Sequence, residues 1–153
     1  MIQEFLRSVS LFRDLDDEEL AHVLMIGHLK RYPREAAILT EGAAGGQLHI
    51  IHQGRVRISK VVPGAGEEAL TILSPAEFFG EVEFFDGSPS SAHAIAHSDC
   101  EVFTIPHDEV RALMTSAPSV AAKFLWAFSR TLATRLRDSN QKISSLFAIT
   151  REF

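Results

Sequence analysis

The residues best suited to hold a small charged group lie between positions 78 and 93, in the sequence FFGEVEFFDGSPSSAH. Gly80 permits a close approach of the backbone to a ligand. Residues 81–85 can form about one helical turn, whose first N–H groups have no partner inside it. Ser90 and Ser91 add two hydroxyl groups. The segment 78–93 therefore predicts an anion-binding loop, although a hairpin connection with a short helix explains the same residues equally well.

The remaining reactive side chains form no recognisable catalytic pattern. Among the seven histidines, His93 and His97 share a face only if their strand is regular, whereas His49 and His52 should point to opposite faces. The H-x-H motif and following glutamate of a cupin-type metal enzyme, which is one alternative, are absent. No serine-nucleophile motif or phosphate-binding Gly-rich loop occurs, and Cys100 is expected to be a small buried hydrophobe. We therefore expect neither enzymatic activity nor a metal site.

Length and charge limit the other function classes. A chain of 153 residues with 46% hydrophobic content can bury one good core, so we expect a single domain over residues 1–153. Fifteen basic residues stand against 20 acidic ones, which disfavours direct binding of nucleic acid. No apolar run approaches the roughly 18 residues that cross a bilayer, so no membrane partner is expected.

Cysteine usage and the N-terminus bear on the compartment. The single cysteine excludes an internal disulfide and fits a reducing environment. The first residues, MIQEFLRSVSLF, contain no basic region ahead of an apolar core, unlike a secretory signal. We therefore expect a cytoplasmic protein.

The scaffold around the segment 78–93 is predicted from periodicity. Helical spacing over Ile2–Val9 predicts a first helix, and a capping box at Asp16 and Glu19 predicts the start of a second. Residues 28–106 change to short alternating runs separated by turn residues, which indicates β-structure. The predicted strands are His28–Tyr32, Ala37–Thr40, Leu48–Gln53, Arg55–Val61, Ala69–Leu73, His93–Ala96 and Cys100–Pro106. They predict an α+β (mainly β) fold, an antiparallel β-roll or jelly roll of about eight strands flanked by N-terminal helices and a long C-terminal helix.

Helical periodicity returns after the predicted roll, so residues 5–106 would hold helices and roll, and residues 107–149 the C-terminal helices. One helix is predicted over His107–Ala117, broken before Pro118. Without glycine or proline from Ser119 onward, the next helix is predicted to reach about Phe147 or beyond, a length of roughly 40 Å.

The long C-terminal helix has an apolar row that a small domain cannot cover alone. The row comprises Ala121, Leu125, Phe128, Leu132, Leu136, Ile143 and Leu146. Such a row favours a parallel helix pair, and hence a homodimer. Fraying of the far half of the helix is the alternative.

Three motifs in order resemble the cyclic nucleotide-binding domain, a family that includes bacterial catabolite activator proteins, kinase regulatory subunits and nucleotide-gated channels. Glu41-Gly42 followed by LHIIHQGRV at 48–56 is similar to the family's first hairpin. FGEV at 79–82 is similar to the opening of its phosphate-binding segment, and DCEV at 99–102 to its next strand. The resemblance extends from about Phe5 to Leu146.

The resemblance implies a ligand site for cAMP or another cyclic nucleotide. Gly80 and Glu81 would meet the ribose 2′-hydroxyl and the phosphate, because a carboxylate accepts a hydroxyl proton. The strand before them and the long helix would contact the base. For Ser139, which interrupts the apolar row, a tolerated small residue in a dimer seam is an equally good interpretation. The implied ligand-binding residues are Leu70, Thr71, Gly80, Glu81, Val82, Ser90, Ser91, Arg135, Ser139 and Asn140.

One departure from the family pattern bears on the ligand. The family places an arginine where this chain has Ser90, so a charge-assisted contact with the phosphate is replaced by a neutral hydroxyl. A hydrogen bond to a charged group is worth about 1.5–3 kcal/mol, or one to two decades in affinity. Glu83 stands where the family prefers a small residue, and it adds to the acidic side chains of Glu81 and Asp86. These residues argue against tight binding of cyclic AMP.

Two functional hypotheses follow. The first is a non-enzymatic ligand-sensing regulatory module that resembles cAMP- or cGMP-binding domains and signals through its C-terminal helix to an unidentified downstream protein. The alternative is a ligand-free dimerisation or protein-interaction module that has lost nucleotide binding because Ser90 replaces the arginine.

Overall fold

A computed structural model describes residues 2–151; the first residue and the last two of the expected domain lie outside it. The chain begins with helix α1, a short 3₁₀ helix and helix α2, continues through eight strands interrupted by helix α3, and closes with helices α4 and α5. The helices are α1 (Ile2–Ser8), the 3₁₀ helix (Ser10–Phe12), α2 (Asp17–Ile26), α3 (Glu81–Asp86), α4 (His107–Ser116) and α5 (Pro118–Arg151). The strands are β1 (His28–Tyr32), β2 (Ala37–Leu39), β3 (Gln47–Gln53), β4 (Val56–Val62), β5 (Gly66–Leu73), β6 (Phe78–Phe79), β7 (His93–Ala96) and β8 (Cys100–Pro106).

The eight strands form two antiparallel sheets, with orders β1-β8-β3-β6 and β2-β7-β4-β5. This confirms the predicted α+β roll. Strand β6 was not predicted, because two residues are too few to show a period. It pairs with β3 through Ile50 and Phe78 and through His49 and Phe79, and so brings the segment 78–93 against the roll.

The β4–β5 hairpin is longer than its sequence pattern indicates. Strand β5 begins at Gly66 instead of Ala69, and the amide of Ala65 donates to the carbonyl of Val62 at 3.0 Å across the turn. The added residues Glu67 and Glu68 face solvent on both sides of the strand, so they show no apolar alternation.

The core has two parts because β3 is covered on both faces. Leu48 and Ile50 pack with Phe12 and Phe124 in a cluster beneath the helices. Ile51 faces the other way, into a smaller cluster between the two sheets. The helices are thereby held on one sheet, and the interior of the roll lies beneath the other.

Helix α2 begins as predicted. The Asp16 carboxylate accepts from the Glu19 amide at 2.8 Å, and the Glu19 carboxylate accepts from the Asp16 amide at 3.1 Å. This capping box satisfies two N–H groups of the first turn.

Helix α5 is continuous over 34 residues, about 51 Å at 1.5 Å per residue, and it begins one residue earlier than predicted, at Pro118. Its first part is buried, and the last buried residue is Phe128. Beyond that point it carries exposed apolar side chains. They are Leu132, Leu136, Ile143, Leu146, Phe147 and Ile149.

Candidate functional site

A cleft of about 460 Å³ lies between α3, the second sheet and α5. The segment 78–93 supplies one wall, strands β2, β4, β5 and β7 the floor, and the middle of α5 the other wall. Eight of the ten residues predicted to bind a ligand line it. They are Thr71, Gly80, Glu81, Val82, Ser90, Ser91, Arg135 and Ser139.

Leu70 and Asn140, the other two predicted residues, do not line the cleft. Leu70 is 60% exposed, because strand alternation turns it away while its neighbour Thr71 faces inward. Asn140 is exposed one residue beyond Ser139, and each residue of a helix is rotated by about 100° from the last. Their contact with a ligand stays a prediction.

Gly80 allows the backbone to enter the cleft at the start of α3. It has φ of 82°, in the left-handed region that glycine tolerates. A Cβ atom there would lie 2.7 Å from the carbonyl oxygen of Gln47 and 3.3 Å from Cδ2 of His49. Both the backbone conformation and the close packing therefore require glycine at this position.

Glu81 and Arg135, which were predicted only as ligand contacts, also contact each other. Arg135 Nη1 donates to Glu81 Oε1 at 2.6 Å, and Nη2 donates to the carbonyl oxygen of Phe78 at 3.2 Å. The guanidinium carbon lies 4.1 Å from the centre of the Phe78 ring, a cation–π distance. One arginine thus joins helix α5 to the residues around Gly80.

Ser91 presents two donors at the cleft, and one carboxylate oxygen accepts both. The Ser91 amide and hydroxyl each donate to Glu83 Oε1 at 2.9 Å. Glu83 sits in the middle of α3 and is only 6% exposed. Gly45 packs closely against Glu83: a Cβ atom added to Gly45 would lie 2.6 Å from Cβ of Glu83. Glu83 is therefore fixed in place from two sides.

Ser90 lines the cleft, but its polar groups are used within the protein. Its hydroxyl donates to the carbonyl oxygen of Ala92 at 2.7 Å. Its amide donates to the carbonyl of Ala43 at 2.9 Å, and its carbonyl accepts from the amide of Gly42 at 2.8 Å. Ser90 thus ties the loop at 42–43 to the segment 78–93.

Sequence reasoning missed several cleft residues. Lys142 and Asp138 line it from α5, and the 3.6-residue period starting from Arg135 was the signal that could have found them. The sequence shows that Glu83 departs from the family's preference for a small residue, but it does not predict the bonds between Glu83 and Ser91. In all, four carboxylates and three basic side chains line the cleft. They are Glu77, Glu81, Glu83 and Asp138 against Arg135, Lys142 and His93.

His49 supports the site from beneath. Its ring stacks on Phe79 at 4.9 Å, and Nδ1 lies 3.0 Å from Thr104 Oγ1. Nε2 is buried and has no hydrogen-bond partner among residues 2–151. Burial lowers the pKa of His49 to about 4, with a smaller contribution from the positive charge of Lys30. His49 is therefore a neutral packing residue near neutral pH.

The histidines do not form a cluster; His93 and His52 each contact a different residue. His93 Nδ1 accepts from the amide of Glu41 at 3.1 Å, whereas His52 Nδ1 lies 2.5 Å from Glu101 Oε1. Within residues 2–151, no group of three or more His, Cys, Asp or Glu side chains is placed to hold a metal ion. Over the same residues, no helix combines the length and the apolar character that a membrane crossing requires.

A family model and individual relatives both match this chain to cyclic nucleotide-binding proteins. The model of the cyclic nucleotide-binding domain matches residues 29–117. The cyclic AMP receptor protein of Thermus thermophilus is 31% identical over 136 residues, which cover 89% of this chain and 61% of that protein. The CRP-like cAMP-activated global transcriptional regulator of Mycobacterium tuberculosis is 28% identical over 145 residues, 95% of this chain and 63% of the regulator. This chain thus spans about three fifths of the length of these two relatives.

Solved structures agree in fold. The crystal structure of a cyclic nucleotide-binding domain from Methylobacillus flagellatus superposes with a TM-score of 0.81 at 27% identity, covering 93% of this chain and 80% of that one. The catabolite activator protein of Thermus thermophilus superposes with a TM-score of 0.77 at 31% identity, covering 90% of this chain and 62% of that one.

Proposed function

This chain belongs to the cyclic nucleotide-binding domain family, and we propose that it is a non-enzymatic ligand-sensing module that signals through helix α5 to another protein. The ligand would be cAMP or a related molecule that carries a ribose. The Glu81 carboxylate lines the cleft and can accept a ribose hydroxyl, and the apolar side chains of the floor can face a base.

The contact between Glu81 and Arg135 is the observation that carries this proposal. It connects the carboxylate expected to recognise the ligand with the helix expected to transmit the signal. A ligand hydroxyl that donates to Glu81 would share the carboxylate with Arg135, which contacts Oε1, and would draw negative charge away from that ion pair. Binding would then change the population of α5 positions, because the ligand and the helix contact share one group.

We further propose that α5 pairs with a second copy of the chain. Its exposed apolar row begins where the helix leaves the roll, and a second α5 in parallel would cover it. Asn140 lies next to Leu136 on this side of the helix, so in such a pair it would face the partner copy, whereas Ser139 faces the cleft of its own chain. A cytoplasmic location and an unidentified downstream protein complete the proposal.

A ligand-free dimerisation module is the second candidate, and one observation favours it. Ser90, which stands at the family's phosphate-binding arginine, donates its hydroxyl to Ala92, and the amide and hydroxyl of the neighbouring Ser91 donate to Glu83. A roll with these internal contacts could keep its fold and its helix without any ligand.

Calorimetric titration combined with hydrogen exchange separates the two candidates. We would titrate cAMP, cGMP, adenosine and guanosine to near-millimolar concentration and follow amide exchange along α5. The sensor proposal expects heat with at least one of the four, together with changed exchange in α5. Glu81→Gln keeps the shape of the side chain and should weaken that binding by about tenfold or more, because a charged acceptor is lost. Absence of heat with all four ligands would leave the ligand-free module.

A further inference from the structure

The hydrogen bonds between Ser91 and Glu83 bear on the chemical class of the ligand. The amide and the hydroxyl of Ser91 converge on one point at 2.9 Å each, as the donors of an anion site do. Glu83 Oε1 occupies that point. A residue of the chain therefore already supplies the negative charge that these two donors could otherwise take from a ligand.

Among the described residues, no positively charged side chain contacts the Glu83 carboxylate, since no Lys, Arg or His nitrogen of residues 2–151 lies within 4.0 Å of it. Arg135 is paired with Glu81, and the loop at Gly45 packs against Cβ of Glu83. Glu83 is almost fully buried, so moving it aside would disrupt its packing and leave a carboxylate without its donors.

We propose that Glu83 is a specificity-determining residue that stands in for the ligand phosphate, so that the cleft takes an uncharged ribose-bearing molecule, a nucleoside, in preference to a cyclic nucleotide. This inference rests on the proposed function and names its ligand class. A cyclic phosphate at Ser91 would meet the Glu83 carboxylate or have to displace it. The loss of one charge-assisted hydrogen bond alone lowers affinity by about ten- to hundredfold.

The rest of the cleft suits such a molecule. Glu81 supplies an acceptor for a ribose hydroxyl, and Thr71 and Ser139 supply hydroxyls that can meet the edge of a base. Leu39, Ile58 and Leu73 line the floor with apolar surface on which a base can lie. Lys142 and Arg135 both line the cleft from α5, the wall opposite the segment 78–93.

The test compares adenosine with cAMP on the wild-type protein and on Glu83→Gln. Glutamine keeps an oxygen for Ser91 but removes the charge. Asp86→Asn is the matched control, because it removes the same charge from the same helix while its carboxylate bonds to Ser88 instead of Ser91. Affinities are measured by calorimetry and folding by circular dichroism.

We expect the wild-type protein to bind adenosine more tightly than cAMP. Glu83→Gln should raise the affinity for cAMP by about tenfold or more and change that for adenosine by less than about threefold, whereas Asp86→Asn should leave the ratio of the two affinities unchanged. If Glu83→Gln fails to fold, the comparison on the wild-type protein still decides.

Three results would overturn the inference. Tighter binding of cAMP than of adenosine by the wild-type protein would contradict it while leaving the sensor function intact, and loss of that binding in Lys142→Gln would show where the phosphate sits. An unchanged affinity ratio in a folded Glu83→Gln variant would contradict it as well. No binding of either ligand, or of guanosine and cGMP, to any variant would remove the proposed function and this inference with it.

Discussion

At the scale of single residues, the shape of the cleft depends on the packing of two residues, His49 and Gly80. His49 and Gly80 fix the position at which β3, β6 and α3 meet. Both carry consequences for stability that can be measured without knowledge of the ligand.

The burial of His49 predicts a loss of stability in mild acid. Its pKa is lowered to about 4 in the folded protein, compared with an ordinary value near 6.5 when the chain is unfolded. Between these values the unfolded chain binds more protons, so stability decreases as the pH falls from 6.5 towards 4. At pH 5 this amounts to about 2 kcal/mol.

Urea unfolding at pH 7 and pH 5 checks the effect of His49. The wild-type protein should lose about 2 kcal/mol more than His49→Gln between the two pH values. His22→Gln, at an exposed histidine of α2, serves as the control and should behave as the wild type. Equal losses in wild type and His49→Gln would contradict the role of the buried imidazole.

The two glycines that bracket α3 allow steric crowding to be separated from backbone strain. Gly80 and Gly87 have φ of 82° and 72°, but only Gly80 has atoms within 4 Å of an added Cβ. Gly87→Ala should lower the free energy of unfolding by about 1–2 kcal/mol, because alanine is strained in the left-handed conformation. Alanine at Gly80 should lower it by about 1–3 kcal/mol more because of the clash with Gln47. Equal losses in denaturant unfolding would show that the crowding is relieved at no cost.

At the scale of elements, Arg135 is the contact by which the middle of α5 is joined to the segment 78–93. Arg135→Gln removes the ion pair with Glu81 and the cation–π contact with Phe78. Amides of α5 beyond Phe128 should then exchange several-fold faster without any ligand, because local opening becomes easier. Arg137→Gln, an exposed arginine on the same helix, is the control. Unchanged exchange in Arg135→Gln would mean that α5 is held by its buried first part alone.

At the scale of the whole molecule, the exposed apolar row of α5 beyond Phe128 predicts a dimer. Leu136→Glu places a charge in the middle of this row and should shift the protein from dimer to monomer at micromolar concentration. Thr134→Glu adds the same charge about half a turn away, off the row, and should leave the mass unchanged. Light scattering measures both. A monomeric wild-type protein would contradict the pairing.

Much of the architecture could be predicted because it depends on local signals. The capping box at Asp16, the break at Pro118 and the alternation in β3 and β8 each reflect a rule that acts within a few residues. Strand β6 could not be predicted, since its two residues are defined only by their partners in β3.

Eight of the residues predicted from the sequence line the cleft, but the contacts between them were not predicted. Glu81 and Arg135 are separated by 54 positions and meet through the path of α5 across the roll, which no local pattern encodes. The bond from Ser91 to Glu83 depends on how α3 turns back towards the segment that follows it. In both cases the two residues meet because of the tertiary packing, and their spacing in the sequence does not predict the contact.

The contact of Glu83 with Ser91 also has an evolutionary consequence. Both codons for glutamate become glycine codons by one change at the second base, and a small residue at this position is the preference of the family. The space beside it is bounded by Gly45, which has no side chain of its own to rearrange. On the proposed role of Glu83, a single base change would therefore remove the carboxylate that stands in for the ligand phosphate.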